Sequence, residues 1–119
     1  MERVRVVTYN VHRCKGVDAR VRPGRIGEVL REIGADFVAL QEVLSVEGGL
    51  REKNQARFLS DELGLECHLG ENRRWRGGSY GNVILSRFPM RHVKNYDLSV
   101  RGYESRGCLH ADVIEIWNL

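Results

Sequence analysis

The chain contains 119 residues, of which 42% are hydrophobic and 29% are charged, a composition typical of one folded domain. Its formal net charge of +3 is too small to indicate nucleic-acid binding by itself, and no apolar run is long enough to cross a bilayer. Cys14, Cys67 and Cys108 form no C-x-x-C pair, which argues against a disulfide framework or a zinc ribbon and favours a reducing compartment. The first residues do not show the basic stretch followed by an apolar segment that is typical of a signal peptide, so we expect a cytoplasmic protein.

The N-terminal half alternates strand and helix patterns. Residues 3–10 alternate as a strand, and residues 11–22 have the glycine and charge content of a loop. Apolar residues then recur across 26–33 at the spacing of one helix face, and Gly34 can end that helix because glycine readily adopts positive φ. Residues 37–40 are a continuous apolar run, which predicts a strand buried on both faces.

Strand patterns dominate the rest of the chain. The predicted elements are a helix at about 52–63 ending at Gly64, a weak strand at 65–69, an arginine- and glycine-rich loop at 72–80, a buried strand at 83–85, an edge strand at 90–98 and a last strand that begins at 109. In that last strand the apolar positions change phase at Ile114 and Ile116, which indicates a bulge or a strand covered on both sides. The order strand, helix, strand, helix and then strands predicts an α/β layered domain.

Glu42 and Asn10 are the candidate centre of a site, because each lies where an apolar strand pattern ends. Ligands of α/β sheets bind at strand ends, and magnesium often takes only one or two carboxylates, with water and substrate phosphate as its other ligands. Taken singly, however, Glu42 suits a solvated loop and Asn10 suits a turn leaving its strand. The four histidines have no ligand spacing and are interpreted as surface or packing residues.

Later residues add weaker candidates. Residues 77–82 combine glycine backbone with Tyr80 and Asn82, so the segment fits either a loop that approaches a phosphate or a hairpin loop that leads into the next strand. Arg87 and Arg106 fit either a bidentate clamp for an anion or ordinary surface charge.

Together, four segments resemble the endonuclease/exonuclease/phosphatase superfamily, the group of deoxyribonuclease I, abasic-site endonucleases, inositol polyphosphate 5-phosphatases and neutral sphingomyelinases. Each segment is weak alone, but the four occur in the right order across most of the chain. They are Thr8-Tyr9-Asn10-Val11-His12, the run from Ala35 to Val43, the run from Tyr80 to Pro89, and Arg106-Gly107. The nearest resemblance is to a bacterial family of uncharacterised metal-dependent hydrolases, which also carries the segments at 16–18 and 70–74.

This resemblance implies a deoxyribonuclease I-like fold, a four-layered α/β sandwich in which mixed sheets are flanked by helices. Residues 1–119 would be the N-terminal half of that single domain. The apolar stretch at 113–119 agrees with this, because domain boundaries usually fall in polar segments. The family's Gly-Asp-Phe-Asn and Ser-Asp-His segments have no counterpart in the sequence. We therefore expect a truncated domain that is inactive or weak in isolation.

The resemblance also implies roles for single residues. Glu42 and Asn10 would bind the metal ion, Mg²⁺ or alternatively Mn²⁺, and both would belong to the catalytic set, with Asn10 also near the scissile phosphate. Tyr80, Asn82 and Arg106 would lie near the substrate. In that family the metal ion stabilises charge on the phosphate while an activated water attacks in line.

Three functions stay open at this point. The first is a metal-dependent phosphoester hydrolase (a phosphodiesterase, nuclease or phosphatase) that acts on DNA, a phospholipid headgroup or an inositol phosphate. The second is a non-catalytic half-domain that forms a homo-oligomer through an exposed sheet edge. The third is a basic module that binds nucleic acid or phosphate, since sixteen of the nineteen basic residues are arginine and residues 73–76 combine arginine with tryptophan. A solvated hairpin and codon bias explain those arginines equally well.

Overall fold

The computed structural model describes residues 3–113. Its elements are β1 (Val6–Asn10), α1 (Pro23–Ile33), β2 (Phe37–Ser45), α2 (Gln55–Leu63), β3 (Glu66–Trp75), β4 (Gly78–Ser86), β5 (Met90–Asp97) and β6 (Gly107–Val113), with 3₁₀ turns at His12–Cys14 and Arg51–Lys53. Strands β1 to β4 form a mixed sheet in the order β1-β2-β4-β3, in which β1 and β2 are parallel and the other neighbours antiparallel. β5 and β6 form an antiparallel hairpin. The predicted α/β class, with a mixed sheet and flanking helices, is confirmed.

Both helices end at the glycines that the sequence predicted. Gly34 and Gly64 each have a φ of 65°, and their N–H groups donate to the carbonyls of Leu30 and Ser60. A residue without a side chain adopts this left-handed conformation at little cost, and the hydrogen bond satisfies a carbonyl of the last turn. α1 begins at Pro23, whose missing N–H group is not needed in the first turn of a helix.

The predicted start of α2 at about residue 52 is wrong. The Asn54 side chain accepts a hydrogen bond from the N–H of Arg57 (3.3 Å) and so caps the helix, which begins at Gln55. Residues Arg51–Lys53 form a separate 3₁₀ turn before that cap.

The core lies between the two helices and one face of the four-stranded sheet. Leu40 from β2 and Leu59 from α2 are fully buried there, and burial of a leucine stabilises a fold by about 1.5–3 kcal/mol. The β5–β6 hairpin lies against the opposite face, because the Asn82 Nδ2 donates to the Gly107 carbonyl (3.3 Å) while the next residue, Val83, packs in the core. The layers are therefore helices, sheet and hairpin.

The loop predicted at 72–80 is wrong. β3 continues to Trp75, which pairs with Gly78 of β4, so the connection consists of Arg76 and Gly77. Both connecting residues have positive φ, 49° and 78°, as a two-residue hairpin turn of the I′ type requires. The glycine and arginine content predicted an irregular segment, whereas pairing with β4 keeps it extended.

The remaining strand predictions agree with the structure. The predicted strand at 65–69 is the first part of β3, the strand at 83–85 is part of β4, and the strand at 90–98 is β5. The phase change predicted at 114 and 116 lies outside the described residues. Within residues 3–113, no helix is both long enough and apolar enough to span a membrane.

Candidate active site

Glu42 reaches the candidate site because β2 contains a bulge. The pairing of β2 with β4 shifts between Leu40 and Val43, so Gln41 and Glu42 together lie opposite Asn82. Side chains of a regular strand alternate between faces, so in a strand of this sequence without the bulge Glu42 would share the core face of Leu40. Instead Glu42 has a φ of 56°, and burial resumes at Val43. Bulges commonly redirect a side chain in this way beside active sites.

Asn10, at the end of β1, contacts the Glu42 carboxylate directly. Its Nδ2 donates a short hydrogen bond to Glu42 Oε2, and its Oδ1 accepts from the backbone N–H of His12 (3.0 Å). The parallel pairing of β1 with β2 places Asn10 beside Gln41, which brings the two strand ends together. The amide therefore orients the carboxylate and fixes the start of the next turn.

That next turn, His12–Cys14, has an unusual backbone. Its three residues have φ of 50°, 56° and 58°, although none of them is glycine. Such a conformation costs about 1–3 kcal/mol per residue and persists where surrounding contacts hold it. Here Cys14 is buried in the core, and Gln55 Nε2 donates to the carbonyl of Arg13 (2.7 Å). The turn thus holds the His12 and Arg13 side chains close to the end of β1.

Tyr80 supplies the second hydrogen bond to Glu42. Its Oη donates to Glu42 Oε1 (3.0 Å), and its ring is largely buried in β4. Burial, followed by this hydrogen bond, raises the pKa of the Tyr80 phenol above its ordinary value. Tyr80 is therefore a protonated donor at neutral pH.

The Glu42 carboxylate is ionised. The hydrogen bond from Asn10 makes the largest contribution to lowering its pKa, and the hydrogen bond from Tyr80 and the nearby His12 lower it further. The His12 Nδ1 lies 3.7 Å from Glu42 Oε1. Since the Glu42 side chain is 38% exposed, this charge faces solvent while its orientation is fixed from three sides.

The five predicted site residues line one cleft of about 490 Å³, formed between the sheet and the start of β6. Arg106 lies on its rim, where its Nη1 is 3.1 Å from Glu104 Oε2, and Asn82 lies at its base. The structure thus brings together Asn10, Glu42, Tyr80, Asn82 and Arg106. Their roles toward a substrate stay predictions.

Sequence reasoning did not assign three further residues of this region. Asn72 and Glu104 line the cleft, and His12 lies beside the carboxylate. Asn72 lies in a second bulge, in β3, and no pattern of residues around it predicts that bulge. Arg87 is not at the cleft: its Nη1 lies 3.2 Å from Asp36 Oδ1 at the opposite end of β2.

A divalent cation fits this cleft in part. Among residues 3–113, no group of three or more histidine, cysteine, aspartate or glutamate side chains is arranged to hold a metal ion. The cleft nevertheless presents an ionised, oriented carboxylate at Glu42, and magnesium often binds through one or two carboxylates with water and phosphate completing its shell. The Asn10 amide turns its N–H toward Glu42 and its oxygen toward His12, so in this arrangement it supports the carboxylate.

Comparison with known proteins gives a consistent result. Residues 7–115 match the profile of the Endonuclease/Exonuclease/phosphatase family. The "Uncharacterized protein YbhP" of Escherichia coli strain K12 is 32% identical over 92% of this chain and 47% of its own length. The same figures hold for its counterpart in Shigella flexneri. The chain therefore spans about half the length of the curated relatives it matches.

Solved structures show the same fold. An endonuclease/exonuclease/phosphatase from Beutenbergia cavernae has a TM-score of 0.74 and 27% identity, over 95% of this chain and 35% of its own. A family protein from Leptotrichia buccalis has a TM-score of 0.73 and 18% identity, over 96% and 50%. A 3′ phosphatase from Neisseria, bound to product DNA hairpin, has a TM-score of 0.62 and 19% identity, over 94% and 38%. The predicted deoxyribonuclease I-like fold is confirmed.

Proposed function

This chain belongs to the endonuclease/exonuclease/phosphatase family, and from that premise we propose that its cleft is part of the active site of a metal-dependent phosphoester hydrolase. One observation carries the proposal: an ionised carboxylate, Glu42, is oriented by Asn10 and Tyr80 in a cleft that Asn82 and Arg106 also line. Metal-assisted phosphoester cleavage uses this combination of a carboxylate for a cation and donors for phosphate oxygens.

Glu42 is the proposed ligand of Mg²⁺ or Mn²⁺, with Asn10 beside it. When bound, such a cation neutralises charge on the phosphate and makes a water more acidic. Two hydrogen bonds hold the carboxylate before any cation arrives, so little conformational freedom is lost on binding. Its lowered pKa keeps it ionised below the pH at which an ordinary glutamate protonates.

Tyr80, Asn82 and Arg106 are the proposed contacts to the substrate. Tyr80 stays protonated at neutral pH, and its single hydroxyl proton, donated to Glu42 in this arrangement, would turn to a phosphate oxygen once a cation occupies the carboxylate. Arg106 is paired with Glu104 at 3.1 Å, but its side chain is 64% exposed, and exposed pairs contribute only about 0–1 kcal/mol. A phosphate can therefore displace Glu104 and bind the guanidinium through two parallel hydrogen bonds.

We also propose that residues 1–119 are the N-terminal part of one catalytic domain and that further catalytic groups come from sequence beyond them. The coverage of the relatives supports this, since the chain matches less than half of YbhP. The isolated chain is then expected to hydrolyse phosphoesters weakly or not at all. Self-association through a sheet edge stays a prediction, with β1 and β3 as the edges of the four-stranded sheet within the described residues.

The test uses Glu42→Gln, which keeps the side-chain shape and removes the charge. Glu47→Gln is the matched control, because Glu47 is exposed and lies beyond the end of the same strand. Hydrolysis of bis(p-nitrophenyl) phosphate is measured with Mg²⁺ and with excess chelator, both for the 119-residue chain and for the protein extended along its natural reading frame.

We expect chelator-sensitive hydrolysis by the extended protein. Glu42→Gln should lower it by more than about 100-fold, beyond the loss typical of residues that only orient a metal ligand. Glu47→Gln should leave it unchanged. Activity that survives chelation, or survives Glu42→Gln, would falsify the assignment of Glu42 as the metal ligand.

A further inference from the structure

Three arginine side chains converge on one tryptophan next to the cleft. The guanidinium carbons of Arg13, Arg73 and Arg76 lie 5.0, 4.8 and 4.4 Å from the ring centroid of Trp75. These four residues are called the arginine–tryptophan cluster below. Trp75 is half-buried, so its ring is a fixed platform on which the cations are held by cation–π attraction.

The positive charge of the cluster is poorly neutralised. Within residues 3–113, no carboxylate lies within 4.0 Å of the Arg13 or Arg76 guanidinium groups, and Arg73 reaches Glu104 only at 3.9 Å. The Arg73 Nε is buried and meets no acceptor among the described residues. The neighbouring Arg74 differs, because its Nη1 pairs with Glu71 at 3.3 Å. Like charges gathered without counter-charges favour the binding of an anion.

The cluster is continuous with the cleft. The ring of Tyr80 packs edge-on against Trp75, with centroids 5.1 Å apart, and the hydroxyl of the same tyrosine donates to Glu42. Arg73 also lies over the Tyr80 ring, at 5.3 Å. One side chain therefore separates the three guanidinium groups from the proposed metal ligand.

Backbone geometry fixes two of the three arginines. Arg13 lies in the left-handed turn after β1, where its carbonyl accepts from Gln55, and Arg76 is the first residue of the two-residue turn between β3 and β4. The turns come from distant parts of the sequence and point their arginines at the same ring. Groups that are arranged before binding lose less freedom when a ligand arrives.

We propose that the arginine–tryptophan cluster binds phosphates of a nucleic-acid strand that neighbour the phosphate held at Glu42. This rests on the proposed function of the cleft and names its substrate class. A strand carries regularly spaced phosphates, so one can lie in the cleft while the next lies over the guanidinium groups. The Trp75 faces are occupied by arginine, so the ring supports phosphate contacts, which are independent of sequence, rather than insertion between bases or into lipid.

The test measures binding without hydrolysis. Anisotropy of a labelled oligodeoxythymidine is followed with the 119-residue chain in excess chelator, over a series of KCl concentrations. The variants are Arg13→Gln, Arg76→Gln and the double change. Arg74→Gln is the matched control, because it removes the same charge from the same hairpin but lies outside the cluster. Thermal unfolding of each variant confirms that it is folded.

We expect each cluster variant to reduce the magnitude of the negative slope of log affinity against log salt by about 0.7, the value for one lost phosphate contact on a single strand. The double change should reduce it by about twice that amount, and Arg74→Gln should leave it unchanged. Glu42→Gln should bind at least as tightly as the parent chain, since it removes a negative charge from the path of the strand. Because the anisotropy measurement does not require hydrolysis, it tests the cluster even if the hydrolase assignment fails.

Three results would overturn the proposal. One is an equal change of slope in Arg74→Gln, which would mean that only net charge matters. Another is binding to phosphatidylserine vesicles that depends on Arg13 and Arg76 while oligonucleotide binding does not, which would identify a membrane surface as the partner. Loss of hydrolysis in Glu42→Gln together with unchanged salt slopes in all arginine variants would retain the hydrolase and reject the cluster.

Discussion

Gly81 of β4 is the position at which the smallest added group should do the most damage. A Cβ built on Gly81 would overlap the carbonyl oxygen of Gly70 and would lie 2.9 Å from the Asn72 nitrogen. Both atoms belong to the β3 backbone, so no side chain can rotate away to make room. Gly81→Ala should therefore force β3 away from β4 beside the cleft.

The size of the effect follows from two contributions. Overpacking of an interior costs about 1–3 kcal/mol, and the rigid neighbours at Gly81 place it at the upper end of that range. Separation of the strands weakens at least one ladder hydrogen bond, which costs about 1 kcal/mol more. The sum of about 4 kcal/mol is a large part of the roughly 6–18 kcal/mol expected for 119 residues. At about 4 °C per kcal/mol, Tm should fall by about 15 °C.

Thermal and urea unfolding, followed by circular dichroism, measure this change. Gly24→Ala is the control, because a Cβ at Gly24 meets nothing within 4 Å and the residue lies in α1, where alanine is the better helix former by about 1 kcal/mol. Its Tm should stay the same or rise slightly. A Gly81→Ala chain that melts within two or three degrees (on the order of 0.5 kcal/mol) of the parent would refute the close approach of β3 and β4.

Two further predictions concern titrating groups. Tyr80→Phe should raise the Glu42 pKa, read by carboxyl NMR. Because the folded-state pKa is the lower one, Glu42 stabilises the fold above the ordinary glutamate range and loses this effect as pH falls. The variant should therefore show a weaker fall in stability toward acid pH, and an unchanged pKa would contradict the hydrogen bond. Burial raises the pKa of Cys14 to about 12 and of Cys67 to about 11, so iodoacetamide at pH 8 should quickly alkylate only the exposed Cys108. Rapid formation of three adducts in the intact mass would show that the buried Cys14 and the half-buried Cys67 are accessible.

The parts of the fold that the sequence predicted depend on local chemistry. Gly34 and Gly64 are recognisable as helix ends because a helix end requires only one residue in the left-handed conformation and the last turn before it. The extended structure of segment 72–80 is not predictable from its composition, which suits a loop, because that structure depends on the pairing of β3 with β4. α2 begins later than predicted because the capping side chain of Asn54, and not the helix pattern before it, sets the first residue of the helix.

The candidate site divides in the same way. Glu42 and Asn10 were found because residue type and strand-end position, supported by family resemblance, mark them in the sequence. Their mutual orientation could not be predicted, because it depends on a bulge that exists only through pairing with β4. The arginine–tryptophan cluster combines Arg13 with residues of a distant hairpin, a meeting that no local pattern contains.

The geometry of the cleft depends on the one extra residue that the bulge adds to β2. Loss of one codon between Leu40 and Val43 would remove the extra residue and restore plain alternation, so Val43 would keep its core face while the bulge that turns Glu42 toward the cleft would be lost. A point mutation at Glu42 changes one group, whereas a deletion there removes the bulge and leaves the core pattern of the second half of the strand intact. The extra residue therefore serves the cleft and not the packing of β2, so the site can be lost by a change that the core of the fold tolerates.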